Sequence, residues 1–116
     1  MIFAYRFLIV DDASTDSTRN IIESYDDKRI DMLFLENNIG QTAALNVGLK
    51  HIKTLWVARM DADDYSSETR LAKQMRLITE NARISCVGTW AWTYRDDPKV
   101  EEGEVVTQLN HQEINR

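Results

Sequence analysis

Apolar runs and helix-spaced segments alternate along most of this chain. Residues 6–10, RFLIV, form a short β-rich run; after DDAST, the segment Asp16 to Tyr25 places Ile21, Ile22 and Tyr25 on one helical face. IDMLFLE, residues 30–36, reads as a second strand. GQTAALNVGLKHI, residues 40–52, reads as a helix with Ala44, Val47 and either His51 or Ile52 turned inward, and Gly48 permits close packing or marks the helix end. TLWVARM, residues 54–60, is the third predicted strand. Ser66 or Ser67 can cap a following helix in which Leu71, Met75 and Ile78 recur at helical spacing and Glu68 favours the first-turn dipole. ISCVGTW, residues 84–90, is the fourth strand. Strands alternating with helices over short connections predict an α/β fold: a mostly parallel sheet with helices on both faces, since right-handed crossovers bury both sides of such a sheet. Beyond Trp90 the pattern weakens. RDDPKVEEGEV carries the only proline within a dense charge run and reads as an exposed loop; VVTQLNHQEINR reads as a short strand and the start of a helix, so that about 93–116 is a loop-rich extension.

Size and composition narrow the class. The 116 residues suffice for one domain with a single core. With 43% hydrophobic and 28% charged residues the profile is that of a globular protein. A net charge of -5 gives the mean field the wrong sign for nucleic acid or anionic lipid, so no nucleic-acid partner is expected. No apolar run approaches the roughly 20 residues that span a bilayer, and the start MIFAYRFLIV reads as a strand and not as a signal peptide. Cys86 is the single cysteine, which excludes an intramolecular disulfide; its apolar neighbours predict a small buried core residue and a reducing compartment.

The candidate chemistry lies where the strands end. Asp11 and Asp12 follow the first strand, Asn37 and Asn38 the second, and Asp61, Asp63 and Asp64 the third. In an open parallel sheet these positions share one edge, outside the carboxyl ends of the strands where ligands of α/β folds bind. Aspartate and asparagine also favour turns and caps, so Asp16 or either asparagine by itself reads as structural. Asp61 with Asp63 is different, because two carboxylates spaced by two in a loop can approach one hard cation. An oxygen-only set without nearby His or Cys points to magnesium, manganese or calcium, and magnesium-type ions complete their shell with water and substrate phosphates. There is no P-loop and no GxGxxG. The residues themselves therefore lead to a metal-diphosphate site on an α/β sheet.

Four segments in this order and spacing, FLIVDDASTDST, NNIGQTAALNVGL, ARMDADDYSSETRLAKQ and ISCVGTW, resemble the inverting family 2 glycosyltransferases of bacteria, which have the GT-A fold. The resemblance runs from about Phe7 to about Trp92, and the combination is specific although DxD by itself is weak. It implies that Asp12 recognises the nucleotide base, usually uracil, with Asp11 beside it. Asp61, Ala62 and Asp63 match the DxD motif that binds Mn2+ or Mg2+ on the nucleotide diphosphate, and Asp64 extends it. Asn38, Gly40 and Asn46 match the segment that lines or supports the nucleotide pocket. The implied reaction is attack of an acceptor hydroxyl on the anomeric carbon of a nucleotide sugar, with inversion and with a carboxylate as general base. The family's base lies in an acidic motif well downstream of DxD, and none of Asp96, Asp97, Glu101, Glu102 or Glu104 has a matching context, so the catalytic residue is unassigned.

The family usually begins with a further strand and helix ahead of FLIVDD, so the chain reads as the central piece of a nucleotide-sugar-binding domain. Loss of a central parallel strand would expose sheet edge and apolar helix faces, which homodimerisation would cover. The partners implied are a nucleotide-sugar donor and a carbohydrate or lipid-linked acceptor, and the implied location is cytoplasmic, at the inner membrane face for some members. Two other readings fit parts of the sequence. LIVDD after a first strand and an acidic strand end at Asp61 suit a phosphoacceptor receiver domain, but the Met-Pro turn and the lysine ending a fifth strand are missing. A non-catalytic nucleotide-binding remnant would keep the fold without the reaction. Trp90 and Trp92 read as core and sheet-edge packing over stacking on an acceptor sugar. His111 reads as solvated and not as a metal ligand, while Arg59 and Lys73 suit either phosphate neutralisation or a solvated surface.

Overall fold

A computed structural model describes residues 4–89 and the backbone of 91–93 and 103–105. The chain divides into two compact units, Met1–Val57 and Ala58–Arg116.

In the first unit the order is β1 (Phe7–Asp11), α1 (Thr18–Glu23), β2 (Ile30–Phe34) and α2 (Gln41–His51). β1 and β2 pair in parallel, with Phe7 opposite Ile30 and Asp11 opposite Phe34. The ladder continues past both ends through Phe7 N–H to the Arg29 carbonyl at 2.8 Å and Leu35 N–H to the Asp11 carbonyl at 2.9 Å. Alternation along paired strands puts Phe7, Ile9, Asp11, Ile30, Met32 and Phe34 on one face and Leu8, Val10, Asp31 and Leu33 on the other. α2 packs on the second face, where Gly48 lies so close that a β-carbon there would stand 3.0 Å from Val10 Cγ2 and 3.7 Å from Leu8 Cδ2. α1 serves the first face, with the Arg19 guanidinium 4.4 Å over the Phe34 ring. The predicted arrangement, parallel strands with helices on both faces, is borne out.

Local chemistry explains these elements. α2 is rich in helix formers, its last turn carries Lys50 and His51 where cations favour the dipole, and the His51 ring donates from Nδ1 to the Val47 carbonyl at 2.9 Å. Ala44 and Gly48 are its buried positions, so small residues set the helix-to-sheet distance; Val47 and Ile52 are half-buried and His51 is exposed. Charged clips fasten the strand entries. Arg6 grips Asp31 with two donors, one at 2.9 Å. Arg29 bonds Asp27 through Nε and Nη2, donates from Nη1 to the Tyr5 hydroxyl at 2.7 Å and lies 5.0 Å from that ring's centre. The Asp27 carboxyl is consequently lowered from 3.8 to about 2, chiefly by the Arg29 side-chain hydrogen bond.

In the second unit α3 (Arg70–Glu80) has Met75 and Ile78 half-buried and Leu71 exposed. Its outer side carries an Arg76–Glu80 pair at 2.7 Å. A short antiparallel pair, β3 (Ala91–Thr93) with β4 (Gly103–Val105), sets Ala91 opposite Val105.

Several local expectations are corrected. Residues 54–60 and 84–89 form no strand. An apolar run specifies a wish for burial, whereas a strand exists only through a ladder with a neighbour; Leu55 is 91% exposed, so that run is not covered either. Cys86 is exposed for the same reason, not a core residue. α1 is shorter than Asp16–Tyr25, and only Ile22 of its predicted face turns inward; Ile21 and Tyr25 are exposed. Neither serine holds the cap position of α3: Thr69 holds it, with no side-chain capping bond to the helix, while the Ser67 hydroxyl meets that of Thr69 at 3.2 Å and the Ser67 carbonyl takes the Arg70 N–H at 3.0 Å. Gly103–Val105, expected within an exposed loop, is strand β4. Of the strand and helix expected over residues 105–116, all but Val105, the last residue of β4, lies outside the described residues, as do His111, Asp96, Asp97, Glu101 and Glu102, Trp90, and the side chains of Trp92 and Glu104.

Candidate nucleotide and metal site

Because β1 and β2 are parallel, the loops that leave them emerge from the same edge. Asp11 closes β1 and is the buried charged residue of the described chain, 6% exposed. Its carboxylate is turned into its own loop: it accepts the Ser14 N–H at 3.3 Å and the Ser14 hydroxyl. This tight return carries the backbone through Ala13 at φ 57°, a left-handed conformation that non-glycine residues adopt at a cost of roughly 1 kcal/mol. The next carboxylate points the other way. Asp12 Oδ1 accepts the Ile39 N–H and Oδ2 the Gly40 N–H, both at 2.8 Å, while Asn38 Nδ2 donates to the Asp12 carbonyl at 3.2 Å. Asp12 is half-buried, and Asn37 and Asn38 are exposed.

The structure thus brings Asp11, Asp12 and Asn38 together at one strand edge. The sequence reading missed Ser14 and the Ile39 and Gly40 amides as the partners of the two carboxylates. A serine three residues after Asp11 was a usable signal, since such side chains close local turns; the amides, 27 and 28 residues from Asp12, left none.

The DxD residues belong to the second unit. Asp61 to Asp64 make a turn closed by the Asp64 N–H on the Asp61 carbonyl at 3.2 Å. Asp61 is half-buried and its Oδ1 accepts from Arg59 Nη2 at 2.6 Å; Asp63 and Asp64 are exposed. Arg70 Nη1 donates to the Arg59 carbonyl at 3.3 Å, which ties the start of α3 to this turn. Arg59, read as either a phosphate partner or a surface residue, is engaged with Asp61, while Lys73 is exposed.

Among the described residues no three His, Cys, Asp or Glu side chains converge as a ready metal cage. That donor set still suits a magnesium-type ion, which binds through one or two carboxylates and completes its shell with water and phosphate oxygens. Asp61 and Asp63 are the residues whose carboxylate oxygens could hold such an ion. The ion pair with Arg59 is partly exposed, of a type worth about 0–1 kcal/mol, so Asp61 is not locked away from another cation.

Comparison with known proteins assigns the chain to a family. The family model described as Glycosyl transferase family 2 matches residues 3–114. The chain belongs to that family. Membership carries the GT-A fold, of which the parallel β1–β2 pair and its flanking helices are a part, and it sets aside the receiver-domain reading. Relatives include a Bacillus subtilis protein named for glycosyltransfer in teichuronic acid biosynthesis, 38% identical over 67% of this chain and 32% of its own length. An uncharacterised glycosyltransferase of Haemophilus influenzae is 31% identical over 73% of this chain and 35% of its own. A UDP-Glc:alpha-D-GlcNAc-diphosphoundecaprenol beta-1,3-glucosyltransferase of Escherichia coli is 37% identical over 61% of this chain and 28% of its own. The chain thus spans about a third of the length of the curated relatives it matches. No solved structure matches it. Among the described residues no helix is long and apolar enough to cross a membrane.

Proposed function

We propose that this chain is the nucleotide-binding part of a glycosyltransferase that moves a sugar from a nucleotide-diphospho-sugar, UDP-linked, to an acceptor hydroxyl with inversion. The observation that carries the reading is family membership over residues 3–114, with Asp12 placed at the shared carboxyl edge of two parallel strands. The donor named for the Escherichia coli relative supports a uridine nucleotide, and its diphosphoundecaprenol acceptor supports a carbohydrate or lipid-linked acceptor.

In this reading Asp12 accepts a base N–H, and the Asp11–Ser14 turn keeps the loop between them and α1 compact. Asp61 and Asp63 would hold a Mn2+ or Mg2+ ion, whose chemistry is to stabilise charge on the departing diphosphate. The base that takes the acceptor proton is assigned to no residue of this chain. Calorimetric titration of UDP with manganese, repeated with chelator and with Asp63→Ala, tests the site. Binding that needs manganese and is lost in the folded variant supports it; affinity unchanged in Asp63→Ala removes the metal assignment, and no UDP binding by the wild-type chain removes the nucleotide site.

A further inference from the structure

We propose that Asn38, Ile39 and Gly40 form a positioning clasp for Asp12, holding its carboxylate as an oriented acceptor for a nucleobase edge that presents an N–H; this rests on the nucleotide-site reading above.

The three bonds to Asp12 come from one segment 26 to 28 residues away, and they fix both the backbone and the side chain of that residue. A plain helix cap does not account for them. In a cap, the side chain of the cap residue itself satisfies amides of the first helical turn. Here Gly40 is the cap residue of α2, and the amides held are its own and that of Ile39 before it, while the carboxylate comes from the loop after another strand. The bonds therefore fasten loop to loop.

Gly40 supports the same reading. It sits at φ 86° and ψ 154°, a region open essentially to glycine, yet a β-carbon there would meet nothing within 4 Å. The glycine is needed for the direction of the backbone and not for room, and that direction aims its N–H at Asp12. Each carboxylate oxygen takes one amide; since a carboxylate has about four acceptor positions, about two are left for a ligand. Asp12 is half-buried, so those positions are within reach of solvent.

An ionised carboxylate accepts and cannot donate. Held in place opposite the ring N3 position, it accepts the N3 hydrogen of uracil, whereas cytosine sets a lone pair there and has only its N4 amino group to offer, which a fixed carboxylate does not turn to meet. The clasp is then what converts Asp12 from a flexible charge into a base selector. Asn38 acts through Asp12, as a positioning residue, and does not itself touch the nucleotide.

The test is a double-mutant cycle on the full chain, with UDP and CDP titrated into wild type, Asn38→Ala, Asn38→Asp, Asp12→Ala and Asp12→Ala/Asn38→Ala. Thermal unfolding and the amide resonances of Ile39 and Gly40 are followed in each. Asn38→Ala is expected to weaken UDP about fivefold, the scale of one hydrogen bond, and to leave CDP unchanged. Asn38→Asp, nearly isosteric but with an acceptor facing the Asp12 carbonyl, weakens UDP further. Removing Asn38 from the Asp12→Ala background changes nothing, and Asp12→Ala shifts both amides. Additive losses would mean that Asn38 contacts the ligand directly, and equal losses for UDP and CDP would mean that the clasp does not select the base; either overturns the inference. Unmoved amides in Asp12→Ala would do so too while leaving the nucleotide site standing, whereas a wild type that binds no UDP ends both.

Discussion

Replacing Gly48 with Ala tests how tightly α2 is seated on β1, and the two forces involved have opposite signs. In a helix interior alanine is favoured over glycine by about 1 kcal/mol. Against this, the new methyl would stand 3.0 Å from Val10 Cγ2, tight enough that Val10 must give by a few tenths of an ångström, and 3.7 Å from Leu8 Cδ2, an ordinary contact. Val10 is β-branched, with a stiff χ1, and is paired with Leu33 inside the β1–β2 ladder, so it yields little. Overpacking of this kind costs roughly 1–3 kcal/mol. The net expectation is a loss of about 1 kcal/mol, or a fall in Tm of roughly 4–8 °C for a domain of this size. Urea unfolding followed by far-ultraviolet circular dichroism measures it, and a second background gives the sign. In Val10→Ala the offending methyl is gone, so Gly48→Ala should there stabilise by up to about 1 kcal/mol, a coupling of about 2 kcal/mol between the sites. If Gly48→Ala stabilises the wild type as much as it does Val10→Ala, the contact is not limiting and the packing argument fails. The consequence reaches the site, because α2 begins beside the amides that hold Asp12.

Gly40→Ala should cost about 1–3 kcal/mol through backbone strain with no steric clash, read as a lower unfolding midpoint; a variant as stable as wild type would show that the loop reaches Asp12 by another path. Asp11→Asn leaves the size of the buried side chain while weakening its bonds from Ser14, and should lose about 1–3 kcal/mol in the same assay, whereas Ser14→Gly at an unchanged midpoint would show that the turn contributes nothing. Asp27 has its carboxyl lowered to about 2 by Arg29 against 3.8 in the ordinary state, and Asp31 is lowered in the same direction by Arg6. A depressed acid contributes stability above its unfolded pKa and loses it as pH falls through the folded one, so stability should decline between about pH 4 and pH 2. In Asp27→Asn that decline should be shallower; an identical acid limb would dismiss the pair as a contributor.

Much of the first unit was legible in residue pattern because its causes are local. A β-rich run before DDAST, a second before NNIG, and helix spacing between and after them place β1, α1, β2 and α2 within a few residues of where they lie. The sharing of one edge by Asp11, Asp12 and Asn38 follows from parallel pairing, which short helical crossovers already implied. Gly48 was legible too, as a small residue in an otherwise helical pattern that only close packing or a helix end would explain.

Pairing and direction were not legible. Residues 54–60 and 84–89 read as apolar runs like β1, yet they form no strand, since hydrogen-bonding partners are a property of neighbours and not of the run itself. Cys86 follows its segment to the surface. Asp11 and Asp12 are chemically identical and adjacent, so composition and spacing treat them alike. Tertiary structure separates them: one is buried against Ser14 three residues on, and the other is held by amides 27 and 28 residues away at the foot of α2. The sequence determined which residues stand at the strand ends, because alternation and turn chemistry are short-range. Only the fold decided which carboxylate is committed to its own loop and which is aimed outward, because that choice depends on groups that meet through space.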